Sequence, residues 1–337
     1  MKIKFKGILP SLLAILLVIC LSGCSSGGDS DSNDGGAEKQ DKHFLSMGTG
    51  SSSGTYYYIG AGFANMVSKY YPEIQINAQS TAAAFENARL VANGEMDMGL
   101  ICGGTLEFLA EEENLDLSNA ALVAVGHRSD AHWITLKNSG IESFEDLRGK
   151  RVGVGPQGSA TLILASIKTL EAGWGIKPGE YTPLYYDFGE IIRGLKEGTI
   201  DAGVVFAGFP LSSVMDLCST HDVRFLEVTS EEIERIQAVQ PYLQGITMPA
   251  GTYSDLDKDT QIYTANQRMI CSKDLPEDVV YKFMKAIYEH PEERDQIHPQ
   301  AALWNLEQAL NGAESDPVEF HPGAVKFYKE KGVWSEK

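Results

Sequence analysis

The sequence has few cysteines and no arrangement of them that would hold a metal ion. Its 337 residues include five cysteines and seven histidines, and no two cysteines are separated by only two residues. Structural zinc sites need clustered Cys and His ligands, so no metal site is expected. Beyond the N-terminal region the cysteines are Cys102, Cys218 and Cys271, and their spacing does not decide whether two of them form a disulfide.

Patterns of common hydrolases and nucleotide-binding proteins are also missing. Neither HExxH nor SxxK occurs, and the histidines are scattered along the chain. A Walker P-loop would need Gly-Lys-Ser/Thr after its first glycines, which this chain lacks. The dinucleotide fingerprint starting at Gly48 fails because its third glycine would fall at Ser53. An enzyme is therefore not expected.

Positive charge is scarce. The chain has 28 Lys and Arg against 46 Asp and Glu, which gives a formal net charge of −18. Such a surface repels nucleic acid and anionic lipid, so neither is an expected partner. A small anion remains an acceptable ligand, because a local group of backbone N–H donors can hold one on an acidic protein.

No apolar run is long enough to favour a membrane-spanning helix. The longest, residues 8–21, follows three lysines and has the length of a signal-peptide core. It ends in Leu21-Ser22-Gly23-Cys24, which matches a bacterial lipobox. Residues 1–23 are therefore predicted to be a lipoprotein signal peptide, with Cys24 acylated and inserted in the bilayer; a transmembrane anchor is the alternative. Residues 24–42 are polar and are predicted to be a flexible tether.

Two parts of the remaining chain share one layout. Residues 44–47 form a predicted strand that leads into the Gly/Ser loop Gly48–Gly54 and a helix beginning near Thr55. Residues 151–154 form a second predicted strand, followed by the loop Gly155–Ser159 and another helix. The repeated order of strand, Gly/Ser loop and helix start indicates two related units.

A second pair of segments supports this repeat. Residues 90–100 and 195–204 both contain Gly-x-x-Asp-x-Gly, with the aspartates at Asp97 and Asp201. In each, a helix is expected to end at the first glycine and a short turn to lead into a buried strand.

The alternation of strands and helices predicts an α/β protein of two lobes, each a mainly parallel sheet flanked by helices. Two crossing strands are predicted as the hinge, in residues 124–136 and 263–271. The first lobe would comprise residues 43–130 and 263–337, and the second lobe 131–262. Ligands of such sheets bind beyond the carboxyl ends of the strands, so both Gly/Ser loops are expected to line one cleft.

The C-terminal part is predicted to complete the first lobe with helices over residues 276–288 and 301–310. The histidines of this part each lie near a proline and are interpreted as structural. His127 and His132 lie in the first crossing and are also interpreted as structural rather than catalytic.

The Gly/Ser loop is the principal candidate site. Its glycines and hydroxyls stand at a predicted helix start, where orphan amides and the helix dipole favour a carboxylate or phosphate. Ser80 and Thr81 follow a predicted strand, and one or the other is expected to be the N-cap of the next helix, beside this loop. Both features have a purely structural alternative, namely capped turns that bind nothing.

Aromatic residues near the two loops are candidates for the walls of the cleft. Tyr56, Tyr57 and Tyr58 cannot all face one side of a helix, and Tyr56 is preferred for the cleft. Phe206 and Phe209 follow a predicted strand of the second lobe and are candidates for an apolar wall, with a core or hinge role as the alternative.

Several motifs together resemble one known family. GTGSSSGTYYYIG, NGEMDMGL, LRGKRVGVGPQGSAT, LKEGTIDAGVVFAGFP and HPGAVKFYKEKGVW occur in this order along the chain. The sequence resembles the TAXI-type solute-binding proteins of TRAP transporters. The resemblance implies a Venus-flytrap fold like that of periplasmic binding proteins, and delivery of a small carboxylate or amino acid to TRAP permease membrane subunits, driven by an ion gradient.

The resemblance also implies a set of ligand-binding residues and no cofactor. Combined with the candidates above, the predicted ligand-binding residues are Gly50, Ser51, Ser53, Thr55, Tyr56, Ser80, Thr81, Gln157, Ser159, Thr161, Phe206 and Phe209. The chain departs from the family where STGGS is common, because residues 80–84 read STAAA and the added methyl groups narrow the approach to the backbone. Ligand identity is therefore not transferred.

Two other functions remain as alternatives. A lipoprotein that senses a solute and presents it to a membrane receptor would need the same cleft. A secreted enzyme is the second alternative, and neither HExxH nor SxxK supports it.

Overall fold

A computed structural model describes residues 42–52 and 54–334. The predicted signal peptide, Cys24, the tether through residue 41 and Ser53 lie outside the described residues.

The described strands form a mixed sheet. They are β1 His43–Gly48, β2 Ile74–Gln79, β3 Met98–Cys102, β4 Ala120–Leu136, β5 Arg151–Gly153, β6 Thr182–Leu184, β7 Ala202–Ala207, β8 Val223–Phe225, β9 Leu243–Met248 and β10 Thr260–Ser272. Their order is β2-β1-β3-β10-β4-β7-β5-β6, with β8 beside β4 and β9 beside β10. β1, β2 and β3 are parallel and belong to the first lobe, and β5, β6 and β7 are parallel and belong to the second lobe.

Helices follow most of these strands. They are α1 Thr55–Tyr70, α2 Ala84–Ala92, α3 Thr105–Glu113, α4 Ala160–Leu162, α5 Lys168–Trp174, α6 Phe188–Glu197, α7 Ser212–Cys218, α8 Ser230–Gln237, α9 Glu277–Tyr288, α10 Pro291–Ile297 and α11 Pro322–Glu330. A π-helical turn, Ile163–Ile167, joins α4 to α5. Short 3-10 turns occur at Lys137–Ser139, Phe144–Leu147, Pro299–Leu303 and Ala313–Ser315.

Helix α1 shows how the flanking helices pack on the sheet. It buries Ile59, Phe63 and Val67, which are four residues apart and therefore share one face. These side chains belong to one apolar cluster with residues of α9 and α11, including Phe283 and Phe327. The C-terminal helices thus cover the same lobe as α1.

The repeated Gly-x-x-Asp-x-Gly segments form the same hydrogen bond in both lobes. The Asp97 carboxylate accepts a hydrogen bond from the Ser46 amide of β1 at 2.7 Å. The Asp201 carboxylate accepts one from the Arg151 amide of β5 at 2.8 Å. In each lobe, therefore, the repeated aspartate hydrogen-bonds the turn before one strand (β3 or β7) to the neighbouring parallel strand (β1 or β5).

Strands β4 and β10 cross between the lobes, as expected. β10 pairs with β3 through Gln267 opposite Cys102, and with β4 through Thr264 opposite Asp130. Asp130 in turn lies opposite Ala207, the last residue of β7. β3 and β4 are both antiparallel to β10 and therefore run in the same direction. β7 is antiparallel to β4, so β7 runs opposite to β3, and the strands of the two lobes run towards each other.

The carboxyl ends of β3 and β7 lie near the same part of the crossing strands. Along β10, three residue steps separate Gln267, opposite the last residue of β3, from Thr264, at the level of the last residue of β7; these steps span about 10 Å. The carboxyl ends of the two parallel sheets therefore face a common gap, and residues 126–130 of β4 and 264–267 of β10 form its floor.

A β-bulge interrupts β4 within this floor. Asn266 pairs with Arg128 and Arg268 pairs with Val125, so Gly126 and His127 both stand opposite Gln267. A bulge of this kind bends its strand and changes the direction of its side chains. Here it lies where the chain passes from one lobe to the other.

The predicted helix over residues 301–310 is wrong. The chain forms the 3-10 turn Pro299–Leu303 and then turns without an α-helix. Trp304 leaves helical geometry with φ −84° and ψ 59°. Its side chain is 1% exposed, so burial of this large ring beneath the floor of the gap outweighs the local helical pattern.

Candidate functional site

The wall of the gap on the first lobe is made by two turns that are tied together. Thr49, directly after β1, donates from both its amide and its hydroxyl to the Gln79 carbonyl, at 3.0 Å and 2.7 Å. The Ser80 hydroxyl donates to the Gly50 carbonyl at 2.8 Å. The Gly/Ser loop and the turn at Ser80 therefore lie side by side, as the sequence indicates.

Ser80 and Thr81 do not cap the helix that follows, so this prediction is wrong. Helix α2 begins at Ala84, and its N-cap position is Ala83, which has φ 72° and ψ −144°. The Thr81 hydroxyl instead donates to Asn87 Oδ1 at 2.7 Å and accepts from the Ala83 amide at 3.1 Å. The extra turn over residues 80–83 places both hydroxyls too far from the helix start to act as caps.

Asn87 anchors this wall to the sheet. Its side chain is buried, and its amide nitrogen donates to the carbonyls of Thr49 and Leu100 at 2.8 Å and 2.7 Å. It thus connects the residues after β1, the end of β3 and Thr81. Sequence reasoning missed Asn87, because an asparagine within a helix gives no signal of contacts to distant strands.

Helix α1 starts at Thr55 as predicted, with Gly54 at its N-cap. No side chain caps it, and the amides of Thr55 and Tyr56 are the first two of the helix and have no partner within it. Gly50 and Ser51 precede this start; Gly50 closely approaches Ala83, where an added Cβ would stand 3.3 Å from the Ala83 Cβ. This helix start provides backbone donors on the first-lobe side of the gap.

The wall on the second lobe contains the loop Gly155–Ser159. Ser159 is buried, its hydroxyl donates to the Pro156 carbonyl at 2.7 Å, and it accepts from the Leu162 amide at 3.2 Å. Ser159 is therefore the N-cap of α4. Gln157 is exposed, and Thr161 is buried against Gly155.

The two phenylalanines of the second lobe differ in their surroundings. Phe206, at the end of β7, is 6% exposed and belongs to the main apolar core. Phe209 is half-buried and packs edge-on against the His132 ring at a centroid distance of 6.1 Å. Phe209 thus lies just past the end of β7, at the level of the gap, while Phe206 is chiefly a core residue.

Of the three consecutive tyrosines, Tyr56 lies deepest in the gap. Its hydroxyl donates to Gln267 Oε1 on the floor, and burial raises the pKa of this phenol well above its ordinary value. Tyr57 is half-buried, and Tyr58 is 51% exposed. The Tyr56 ring therefore spans from the first-lobe wall to β10.

The floor brings together His127 and Arg128, neither of which was among the predicted ligand-binding residues. The Tyr56 ring meets the His127 ring edge-on at 5.6 Å. Arg128 Nε lies 3.5 Å from the carboxylate of Asp130, whose Oδ1 also accepts from the Thr264 hydroxyl at 2.6 Å. Burial raises the pKa of Asp130 despite these partners. Arg128 belongs to the floor, and its side chain is 32% exposed, so its guanidinium is accessible to an anion.

Most hydroxyls at the site already donate to the protein. Ser80, Thr81, Ser159 and Tyr56 each give their single proton to a carbonyl or amide oxygen. A hydroxyl has one donor, so in this arrangement these groups shape the walls and leave only acceptor capacity. Backbone amides, Arg128 and His127 are further donors that are available to an anion.

The part of the chain that the structure describes gives no support for catalysis. The loop Gly50–Gly54 does fit the spacing G-x-S-x-G around Ser52, on a turn between a strand and a helix. Ser52 is exposed, and no described histidine is its hydrogen-bond partner. The cysteines Cys102, Cys218 and Cys271 are free, and burial raises the pKa of Cys102 to about 12 and that of Cys218 to about 11, so these thiols stay protonated.

Residues 47–332 match the model of the NMT1-like family. The chain belongs to this family.

Solved structures show how the fold of this NMT1-like family member compares with known proteins. A putative periplasmic sulfonate-binding protein SsuA of an ABC transporter from Methylobacillus flagellatus KT is 14% identical, with a TM-score of 0.50, covering 88% of this chain and 98% of that one. A protein from Xanthomonas citri bound to ATP is 11% identical, with a TM-score of 0.51 and coverages of 87% and 97%. A protein from Bordetella bronchiseptica RB50 is 14% identical, with a TM-score of 0.51 and coverages of 88% and 91%.

These likenesses establish the fold class: two α/β lobes joined by crossing strands, as in periplasmic binding proteins. Within residues 42–52 and 54–334, no helix has the length and apolar character needed to cross a membrane. The same residues contain no group of three or more His, Cys, Asp or Glu side chains placed to hold a metal ion.

Two surface cavities lie away from the gap in this family member. One, of about 460 Å³, is lined by residues of the turn after α7, including His221 and Asp222. The other, of about 210 Å³, lies along α6. Neither is lined by the Gly/Ser loops or the floor.

The lobes touch at the edges of the gap. Lys168 of α5 lies 3.5 Å from Glu112 of α3 and 4.6 Å from the centre of the Phe108 ring. Tyr242, before β9, packs on Gly104, and the Gln300 side-chain nitrogen lies 3.5 Å from the Phe209 carbonyl. These contacts join the lobes on either side of the floor.

Proposed function

We propose that this protein is the extracytoplasmic solute-binding component of a transporter and that it binds a small carboxylate or amino acid between its lobes. The observation that carries the proposal is the strand register, which directs the carboxyl ends of both parallel sheets at one gap. Ligands of open α/β sheets bind beyond such ends. The donors that remain at the gap suit an anionic group.

Binding would proceed by closure of the lobes. The solute first meets the amides at the start of α1 and the Arg128 guanidinium, and the second lobe then adds contacts from Gly155–Ser159 and Phe209. The ligand stabilises the closed state by its higher affinity for that state. In this proposal the first lobe comprises residues 43–130 and 263–337, the second comprises 131–262, and β4 and β10 form the hinge.

The finer assignment extends the resemblance noted in the sequence. The protein would act as a TAXI-type receptor, hand its solute to TRAP permease subunits, and be held at the outer face of the membrane by acylated Cys24 without acting as an enzyme. The order of the motifs along the sequence supports this assignment. The predicted ligand-binding residues remain part of the proposal, with Arg128 added.

Calorimetric titration of the purified protein with a panel of amino acids, dicarboxylates and monocarboxylates tests the binding proposal. We expect saturable binding of at least one carboxylate and a raised thermal midpoint by mass action. In Arg128→Gln the affinity for this ligand should fall about 10-fold or more, because a charge-assisted hydrogen bond is lost. Arg193→Gln, an exposed change on α6, is the matched control and should bind as the wild type does.

Absence of binding by every carboxylate and amino acid would contradict the proposal. The transport assignment has its own measurement: uptake of the identified ligand by cells should require this protein and should stop when the ion gradient is dissipated while ATP is maintained. Uptake that survives loss of the gradient would exclude the TRAP assignment and leave solute binding in place.

A further inference from the structure

His127 occupies an unusual place in the fold. It is the second residue of the β4 bulge and stands with Gly126 opposite Gln267, in the floor between the lobes. Gly126 leaves room for the Trp304 ring, since an added Cβ would lie 2.1 Å from it. The bulge and the missing side chain together bring the His127 ring against Trp304 on one side and Tyr56 on the other.

The hydrogen bond to Trp304 determines which nitrogen of His127 carries the proton. Trp304 Nε1 lies 3.1 Å from His127 Nδ1, and an indole nitrogen can only donate. Nδ1 must therefore be the acceptor, and in the neutral ring the proton is on Nε2. The tautomer thus follows from the chemistry of the tryptophan.

The ring stays neutral at physiological pH. Burial, with a smaller effect of His298, lowers the pKa of His127 to about 3. The rings of Tyr56 and Trp304, which contact His127, carry no negative charge that would raise its pKa again. His127 therefore presents a permanent N–H donor and does not act as a proton switch.

This donor has no partner. His127 is 1% exposed, and Nε2 makes no hydrogen bond to any of the described residues. A buried N–H without an acceptor costs free energy, and such groups in native proteins are normally satisfied. The nearby hydroxyls and the Tyr56 phenol already direct their protons to other atoms, and they do not accept from Nε2.

We infer that His127 is a ligand-binding residue whose Nε2–H donates a hydrogen bond to a carboxylate oxygen of the solute. The inference rests on the proposed function and adds to it the group that the floor contributes. A carboxylate suits the position because it only accepts hydrogen bonds when ionised, whereas an ammonium group would meet a donor. Trp304 serves as a positioning residue, since it fixes the tautomer.

Two substitutions separate the two nitrogens of His127. In His127→Asn the side-chain amide can still offer an acceptor to Trp304, but it is too short to replace the Nε2–H donor. In His127→Gln the longer amide places a donor near the Nε2 position. We expect His127→Asn to bind the identified carboxylate about 10- to 100-fold more weakly and His127→Gln to retain more affinity than His127→Asn.

Long-range proton–nitrogen NMR of the wild-type protein provides a measurement that does not depend on the variants folding. The spectrum should show a neutral His127 with its proton on Nε2, and the Nε2–H resonance should move downfield when the ligand is added. Trp304→Phe, which removes the donor to Nδ1, should weaken binding and allow the other tautomer to appear.

The outcomes are distinguishable. If the wild type binds a carboxylate while His127→Asn binds it equally well, or the Nε2–H resonance is unchanged at saturation, the role of His127 is excluded and the proposed function stands. An ordered water on Nε2 would give this result. If the wild type binds no carboxylate or amino acid, the proposed function fails, and the inference about His127 fails with it.

Discussion

Ala83 has a backbone conformation that residues with a side chain rarely adopt. Its φ of 72° and ψ of −144° fall in a region that is essentially restricted to glycine. Its neighbours hold it there, because its amide donates to Thr81 and its carbonyl accepts from the Asn87 amide at 2.9 Å. The turn in the first-lobe wall therefore carries strain at Ala83.

Ala83→Gly should therefore stabilise the protein by about 1 kcal/mol, since glycine removes the steric cost of positive φ. Urea unfolding of the wild type and the variant measures the change. Ala82→Gly is the control: Ala82 is not a positive-φ residue, so glycine there should lower stability by about 0.4–1 kcal/mol through the entropy of the unfolded chain. Equal effects of the two changes would show that the turn carries no strain.

The turn between β3 and α3 packs closely against a side chain of the second lobe. Gly104 has φ 84°, and a Cβ there would lie 2.2 Å from the Tyr242 ring of the second lobe. Tyr242 is held in turn by a hydrogen bond from its hydroxyl to Gln240 Oε1 at 2.8 Å. Glycine is needed here for two separate reasons, the backbone conformation and the space for the ring.

A pair of substitutions separates these reasons. Gly104→Ala should lower the free energy of unfolding by about 2–5 kcal/mol, from a left-handed alanine and from overpacking against Tyr242. Gly140→Ala provides the comparison, because Gly140 has φ 74° and no atom within 4 Å of an added Cβ. It should cost only about 1–2 kcal/mol. Denaturant unfolding of both variants gives the difference in their free energies of unfolding. An equal loss of stability would mean that the Tyr242 ring moves aside without a measurable energetic cost.

At the scale of the whole molecule, side-chain contacts join the lobes outside the crossing strands. Lys168 provides one of these, with Glu112 and the face of Phe108 as its partners on the first lobe. The lysine and glutamate side chains are 33% and 57% exposed, so the ion pair is weak and depends on salt. A contact between lobes stabilises only the closed state and therefore affects ligand affinity more than folding.

Lys168→Ala should weaken binding of the identified solute about 2- to 5-fold, because the closed state loses an ion pair and a cation–π contact. Lys177→Ala removes a comparable pair with Glu171 at 3.4 Å within the second lobe and should leave affinity unchanged. Calorimetric titration at low and high salt checks both variants. The Lys168 effect should shrink as salt rises, and similar affinities of the two variants at low salt would argue against a role of this contact in closure.

Much of the fold was predictable because it is encoded in short segments. The two Gly-x-x-Asp-x-Gly segments, the loops after β1 and β5, and the start of α1 at Thr55 each have a recognisable local sequence pattern. The repeat itself indicated two lobes, whereas the mutual orientation of their strands is given by the strand register. Errors arose where local pattern and tertiary packing disagree, as at Trp304 and at the turn over residues 80–83.

The candidate site was predicted only in part, for the same reason. The sequence by itself determined which loops would face the gap, since glycines, hydroxyls and a helix start are local features. The direction of each donor depended on partners far away in the chain: Tyr56 reaches Gln267, and His127 meets Trp304, 177 residues later. Only the tertiary structure decided that the hydroxyls of Ser80, Thr81 and Ser159 donate to the protein and that a histidine of the crossing strand keeps a donor free. A hydrogen bond between distant residues leaves no periodic signal in the sequence.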